Sequence, residues 1–214
     1  MYREDPNEKF AKAGEEAERV VDLFRVKDPL SQPLREGVRY PPGPRSRAFR
    51  QLAQLLKADL GVRVAFLEAG GWDTHFNQGG ATGQMANLLR ETAGSISAFL
   101  DDLGPDFPVT FMTITEFGRT VAVNGAGGTD HGHGTAMMVT GKGVRGGGVI
   151  CDWPGLEKKN LYEGRDLAVT TDFRDLFVEV AVSALDLPSH VALFPGHETR
   201  SQPGAMKKGP ASPA

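Results

Sequence analysis

The run from residue 62 to residue 115 constrains the fold of this chain more than any other stretch. It opens on VRVAFLE (62–68), a β-competent apolar segment, and passes through a Gly-rich loop. Residues 83–103 follow, where Met85, Leu88, Leu89, Ile96, Phe99 and Leu103 fall on one helical stripe. Apolar residues three and four apart predict an amphipathic helix. The run ends on VTFMTIT (109–115), a second β-competent segment. A strand–helix–strand succession of this length is a βαβ unit, and its crossover implies parallel pairing. TAMMVTG (135–141) adds a third strand and GGVI (147–150) a short fourth. The fold expected is α/β, a partial αβα sandwich around a mostly parallel sheet.

The flanks divide by pattern. Phe10, Val20, Val21 and Phe24 set a helix over 8–25, and a proline-dense stretch covers 27–46. A helix over 46–60 carries Phe49, Leu52 and Leu56 on one face, and Asp172 caps a last helix over 173–186. Residues 1–45 thus read as an N-terminal helix and linker, 46–196 as one domain, and 197–214 as a tail without apolar period, expected to be disordered. His190 and His197 are expected to be exposed, although FPGH (194–197) could fold back.

Composition narrows the partners. Twenty-four basic against 27 acidic side chains leave a net charge of −3, which argues against nucleic acid. No apolar run approaches the ~18 residues of a membrane span. The opening MYREDPNEKF is charged throughout and shows no signal peptide, so the chain as it stands reads as cytoplasmic. The single Cys151 forms neither an internal disulfide nor a thiolate cluster. Nothing in the sequence sets an oligomeric state.

Three short, Gly-flanked clusters carry the chemistry: GGWDTHFNQGG (70–80), TEFGRT (115–120) and GTDHGHG (128–134). Together they offer Asp73, His75, Glu116, Asp130, His131 and His133, carboxylate oxygens and imidazole nitrogens without sulfur. That donor set suits one or two divalent ions, zinc or manganese above all, with magnesium less well served by imidazole. In a parallel α/β sheet the carboxyl ends of strands form the ligand-binding edge. The first two clusters follow predicted strands directly, and the long loop 116–134 brings the third back over the same edge. Taken singly, Asp73 and Asp130 could serve as turn residues and His75 as a surface histidine. Arg119 offers a fork for an anionic phosphate or sulfate oxygen, or an ion pair with a neighbour such as Glu116.

With GRDLAVTTDFRDLF and LFPG added, these motifs resemble the uncharacterised bacterial family catalogued as domain of unknown function fifteen hundred and one. That family is grouped with the alkaline phosphatase and sulfatase superfamily. The resemblance covers roughly 45–196 and implies an alkaline phosphatase-like αβα sandwich with a two-metal site. It further implies a metal-dependent hydrolase acting on a small anionic ester of phosphate or sulfate. By the superfamily's motif order, Glu116-Phe117-Gly118 takes the place of an Asp-His-Gly, and His131 or His133 is the last ligand. Superfamily enzymes draw the nucleophile and a first metal aspartate from an N-terminal half, so this chain resembles the C-terminal portion. Full-length relatives often carry a twin-arginine export signal. The alternatives are a non-catalytic metal-binding or surface-associated module and an inactive fragment.

Overall fold

The computed structural model describes residues 8–188, 193–199 and 202–207. Its helices are α1 (Glu8–Lys27), α2 (Pro44–Lys57), α3 (Gln84–Leu103) and α4 (Phe173–Leu185). The strands are β1 (Thr110–Met112), β2 (Gly118–Arg119), β3 (His131–Gly132) and β4 (Val139–Gly141). They pair two by two and antiparallel, β1 with β4 and β2 with β3.

The expected α/β architecture, a partial αβα sandwich on a mostly parallel sheet in the alkaline phosphatase manner, is therefore overturned: among the described residues there is no parallel sheet. Parallel pairing required 62–68 to lie beside 109–115. Instead 62–68 joins no strand, and Val64 and Phe66 are 73% and 74% exposed. Apolar, β-branched composition makes a segment fit for a pleated surface, but a strand exists only where a neighbour completes the ladder. The 109–115 segment finds its neighbour in β4, antiparallel and beyond β2 and β3 in the chain, with Phe111 opposite Thr140 and Met112 opposite Val139. Residues 147–150 form no strand either.

The chain divides into two compact units, residues up to 69 with 91–104, and 70–90 with 105 onward. In the first, Pro44 sits in the opening turn of α2, where its missing N–H costs nothing. Phe49 of α2 meets Phe99 of α3 at 5.6 Å between ring centres, and Phe99 is 1% exposed. The Ser46 and Ser95 hydroxyls bond at 2.6 Å in the same interface. Buried Asp102 is fully partnered, accepting from Lys57 Nζ and the Arg35 N–H at 2.8 Å each and from the Tyr40 hydroxyl at 3.3 Å. Burial, then the Asp102 charge, pushes the Tyr40 phenol well above its usual range. On α1 the apolar stripe lies open, with Phe10, Val20, Val21 and Phe24 all exposed.

In the second unit a small core forms from Val144, Val180 and Met206, packed by Met112, Val139 and Leu176. The β1–β4 ribbon thereby rests on α4. Asp172 caps α4, its carboxylate accepting the Arg174 N–H at 2.9 Å. Residues 202–207 lie in the stretch expected to be a tail. The Glu179 carboxylate accepts the N–H groups of Gly204 and Met206 at 2.8 Å each, docking that segment on α4. His197 is not exposed but takes the folded-back alternative: its side chain is 5% exposed, with Nε2 2.8 Å from Asp175 Oδ1. His190 lies outside the described residues. Among the described residues no helix is long and apolar enough to cross a membrane.

Candidate metal centre

The site is built on the short β2–β3 ribbon, where Gly118 pairs with Gly132 and Arg119 with His131. The loop bearing Asp73 and His75 lies directly on the segment before β3. The Thr129 N–H donates to Thr74 O at 3.2 Å, Asn77 N–H to Ala126 O at 3.1 Å and Gln78 N–H to Gly127 O at 3.0 Å. Close packing explains two of the glycines, Gly128 against this loop and Gly132 against Asp166. A Cβ on Gly128 would collide with the His75 carbonyl group, and one on Gly132 would lie 2.8 Å from Asp166 Cβ. The hydroxyls of buried Thr74 and Thr129 both donate to Gln78 Oε1, at 2.8 and 2.6 Å, tying the two loops from beneath.

Three donors meet above this platform. Asp73 Oδ1 lies 3.0 Å from His75 Nε2 and 2.9 Å from His131 Nε2, and the two Nε2 atoms are 3.2 Å apart. One atom from each residue forms a nearly equilateral triangle, and the three residues constitute a possible metal-binding group. Such electron-rich atoms repel one another unless positive charge lies among them, as protons or as a cation. Bonds of about 2.1 Å to a tetrahedral ion would set neighbouring donors roughly 3.4 Å apart. The observed triangle needs to open by only a few tenths of an ångström, so these residues fit a divalent ion.

The surroundings favour the ionised, ligand-ready carboxylates. Hydrogen bonding to His131, together with the charge of His75 and a bond from Arg119, outweighs desolvation and holds Asp73 below the usual carboxyl range. Asp130 is lowered likewise, by bonds from Asn124 first and His75 second. His75 Nδ1 lies 3.0 Å from Asp130 Oδ1, which also accepts Asn124 Nδ2 at 3.0 Å. A carboxylate at Nδ1 selects the tautomer whose Nε2 lone pair faces the triangle.

The six donors singled out by sequence thus part company. Asp73, His75 and His131 converge. Asp130 stands behind His75. Glu116 is exposed and takes no part in the triangle. His133 turns to Asp166, whose Oδ2 accepts the His133 N–H at 2.6 Å and lies 3.0 Å from its Nδ1. Burial pushes the Asp166 carboxyl up, but these bonds from His133 and the Arg165 charge bring it below its ordinary value. Arg119 spends its guanidinium inside the chain, on Thr129 O, Trp72 O and Asp73.

Sequence reasoning missed Asp166, Asn124 and Gln78. Asp166 and Gln78 left a trace, in the GRDLAVTTDF and GGWDTHFNQ stretches that carry the family resemblance. Asn124 and Gln78 are neutral amides in loops, and no spacing rule marks them. Phe117, at the place where a ligand was sought, stacks on the His131 ring at 3.8 Å and 15°.

No curated protein and no solved structure matches the chain. One family model does, and it covers residues 5–192, the triangle, its supporting loops and α4 included. The chain belongs to the family described as Protein of unknown function (DUF1501).

Proposed function

We propose that this chain binds a divalent cation, zinc or manganese, through Asp73, His75 and His131, and that the centre serves hydrolysis of a small phosphate or sulfate ester. The observation that carries the reading is the triangle of one carboxylate oxygen and two imidazole nitrogens at 2.9–3.2 Å. Three protein donors leave a position open for water or substrate, the pattern of catalytic rather than structural zinc sites. A bound ion would supply Lewis acidity toward an ester oxygen or a water. The chain's own part is to orient: Asp130 and Asn124 hold the His75 ring, and Phe117 flanks the His131 ring.

One observation favours a second reading, a metal-binding module without turnover. The hydroxyls of Thr74 and Thr129, in the loops that bear the donors, are buried and committed to Gln78. Neither is free to attack an ester. Titration of the metal-free chain with zinc and manganese, beside assays on aryl phosphate and aryl sulfate monoesters, separates the two. One ion per chain is expected, lost in Asp73→Ala and His131→Ala, with slow ester turnover lost in the same variants. Binding without turnover favours the module. A chain that takes up no ion contradicts both.

A further inference from the structure

Arg119 stands where a cation site would least welcome a positive charge. Its Nη2 is 2.8 Å from Asp73 Oδ1, the same oxygen that meets both histidines. The rest of its guanidinium shows why it is there. Nη2 also donates to Trp72 O and Nη1 to Thr129 O, each at 2.6 Å. One planar group therefore ties the backbone before Asp73 to the backbone two residues before His131, and fixes the Asp73 side chain as well. It reaches His131 by a second route. The guanidinium carbon sits 5.2 Å from the centre of the Phe117 ring, and Phe117 stacks on His131. In the β2–β3 register Arg119 is directly opposite His131, so both act from the same rung.

We propose that Arg119 is the positioning residue of the cation site, an inference that rests on the metal-binding reading above. A carboxylate oxygen has two lone pairs. Arg119 engages one side of Asp73 Oδ1 and sets its rotamer, leaving the other side toward the imidazoles. Both Nη2 donors and one of Nη1 are committed to Trp72, Asp73 and Thr129, so the part of the fork that faces Asp73 holds protein groups. Lysine cannot substitute, because a single ammonium cannot span two carbonyls and a carboxylate in the planar fork that guanidinium provides. Two opposite effects are in play. As a rival cation, Arg119 would weaken metal binding, and its removal would tighten it. As the group that aligns two ligands, its removal must loosen binding. Residues supporting the ligands of metal sites are commonly worth about 10–100-fold in affinity, so alignment is expected to win.

The test uses the full chain, freed of metal and titrated with zinc chloride and, for its absorption spectrum, cobalt(II) chloride. Wild type is compared with Arg119→Lys, Arg119→Met and Phe117→Leu. Both Arg119 variants should bind zinc about 10–100-fold more weakly, with cobalt bands shifted or weakened as the geometry loosens. Phe117→Leu, which leaves the hydrogen bonds intact, should lose less. A third Arg119 variant, Arg119→Ala, serves for rescue: added methylguanidinium should restore part of its affinity, which no general loss of stability would produce. Circular dichroism of the metal-free proteins reports folding, and should Arg119→Met unfold, Arg119→Lys carries the comparison. Affinity and cobalt spectrum unchanged in Arg119→Lys, or tighter zinc binding in Arg119→Met, overturn the inference while leaving the metal reading standing. A wild-type chain that takes up no zinc overturns the metal reading and this inference with it.

Discussion

Two carboxylates face His75 and do different work. Asp73 meets Nε2 and belongs to the donor triangle, while Asp130 meets Nδ1 from the other side of the ring. The residue types were legible in the sequence, because an acid and an imidazole among glycines advertise themselves. The division of labour was not, since it depends on which ring nitrogen each carboxylate reaches after two loops have closed on one another. His133 makes the same point. It is two residues from His131, yet its ring is held by Asp166, 33 residues away in sequence. If Asp130 only orients His75, Asp130→Ala should weaken zinc binding by about tenfold without lowering the number of ions bound. Asp130→Asn, which keeps a carbonyl acceptor for Nδ1–H, should fall between that variant and wild type. Isothermal titration reads both quantities, and loss of all binding in Asp130→Ala would return Asp130 to the ligand set. His133→Ala should leave zinc affinity near the wild-type value by the same reasoning.

Helices and strands differed in how well sequence revealed them, and the difference has a cause. The helices form from contacts three and four residues apart, so the stripe on 83–103 and the Asp172 cap appear as α3 and α4 at nearly the expected bounds. Even so, the stripe does not say what covers it. Ile96 and Phe99 are buried, whereas Leu89, on the same stripe, is exposed. Phe99→Ala should therefore cost about 3–5 kcal/mol, and Leu89→Ala no more than about 0.5 kcal/mol, in urea unfolding. On α4, Asp172 accepts the Arg174 N–H and pairs with its guanidinium at 2.6 Å. These bonds hold its carboxyl well below the ordinary range. A carboxylate so depressed stabilises the fold above its unfolded pKa of about 3.9. That stability fades below this value and is lost as pH falls through the lower folded value. Asp172→Ala should cost about 1 kcal/mol near neutrality, and the gap to wild type should narrow at pH 3. A gap that stays constant or widens on acidification would mean that the cap does not act through its charge.

Across the whole molecule, the least expected feature is the apolar chain left in water. The segment 62–68 reads as a strand by every local criterion, and the structure leaves it without a ladder, Val64 and Phe66 pointing into solvent. Its composition suits a strand, but the partner a strand needs is a property of the rest of the fold, which no window of seven residues contains. The parallel sheet inferred from it failed for the same reason. An exposed apolar segment of high β-propensity and low net charge is a template for pairing with another chain. Its sequence supports such pairing: in an antiparallel match about Ala65, Val64 of one copy lies opposite Phe66 of the other, a β-branched and aromatic pair of the kind that stabilises sheets. The chain is therefore expected to self-associate as concentration rises, through this segment. Val64→Lys and Phe66→Lys should suppress association, because a charge in the pairing face is the usual guard of an exposed strand. Both positions lie outside the donor triangle and its supporting residues, so zinc affinity per chain should not change. Sedimentation velocity over a concentration series measures the first effect, and zinc titration of the same samples the second. Association that persists in the double variant would place the contact elsewhere, with the exposed stripe of α1, Phe10, Val20, Val21 and Phe24, the next surface to charge.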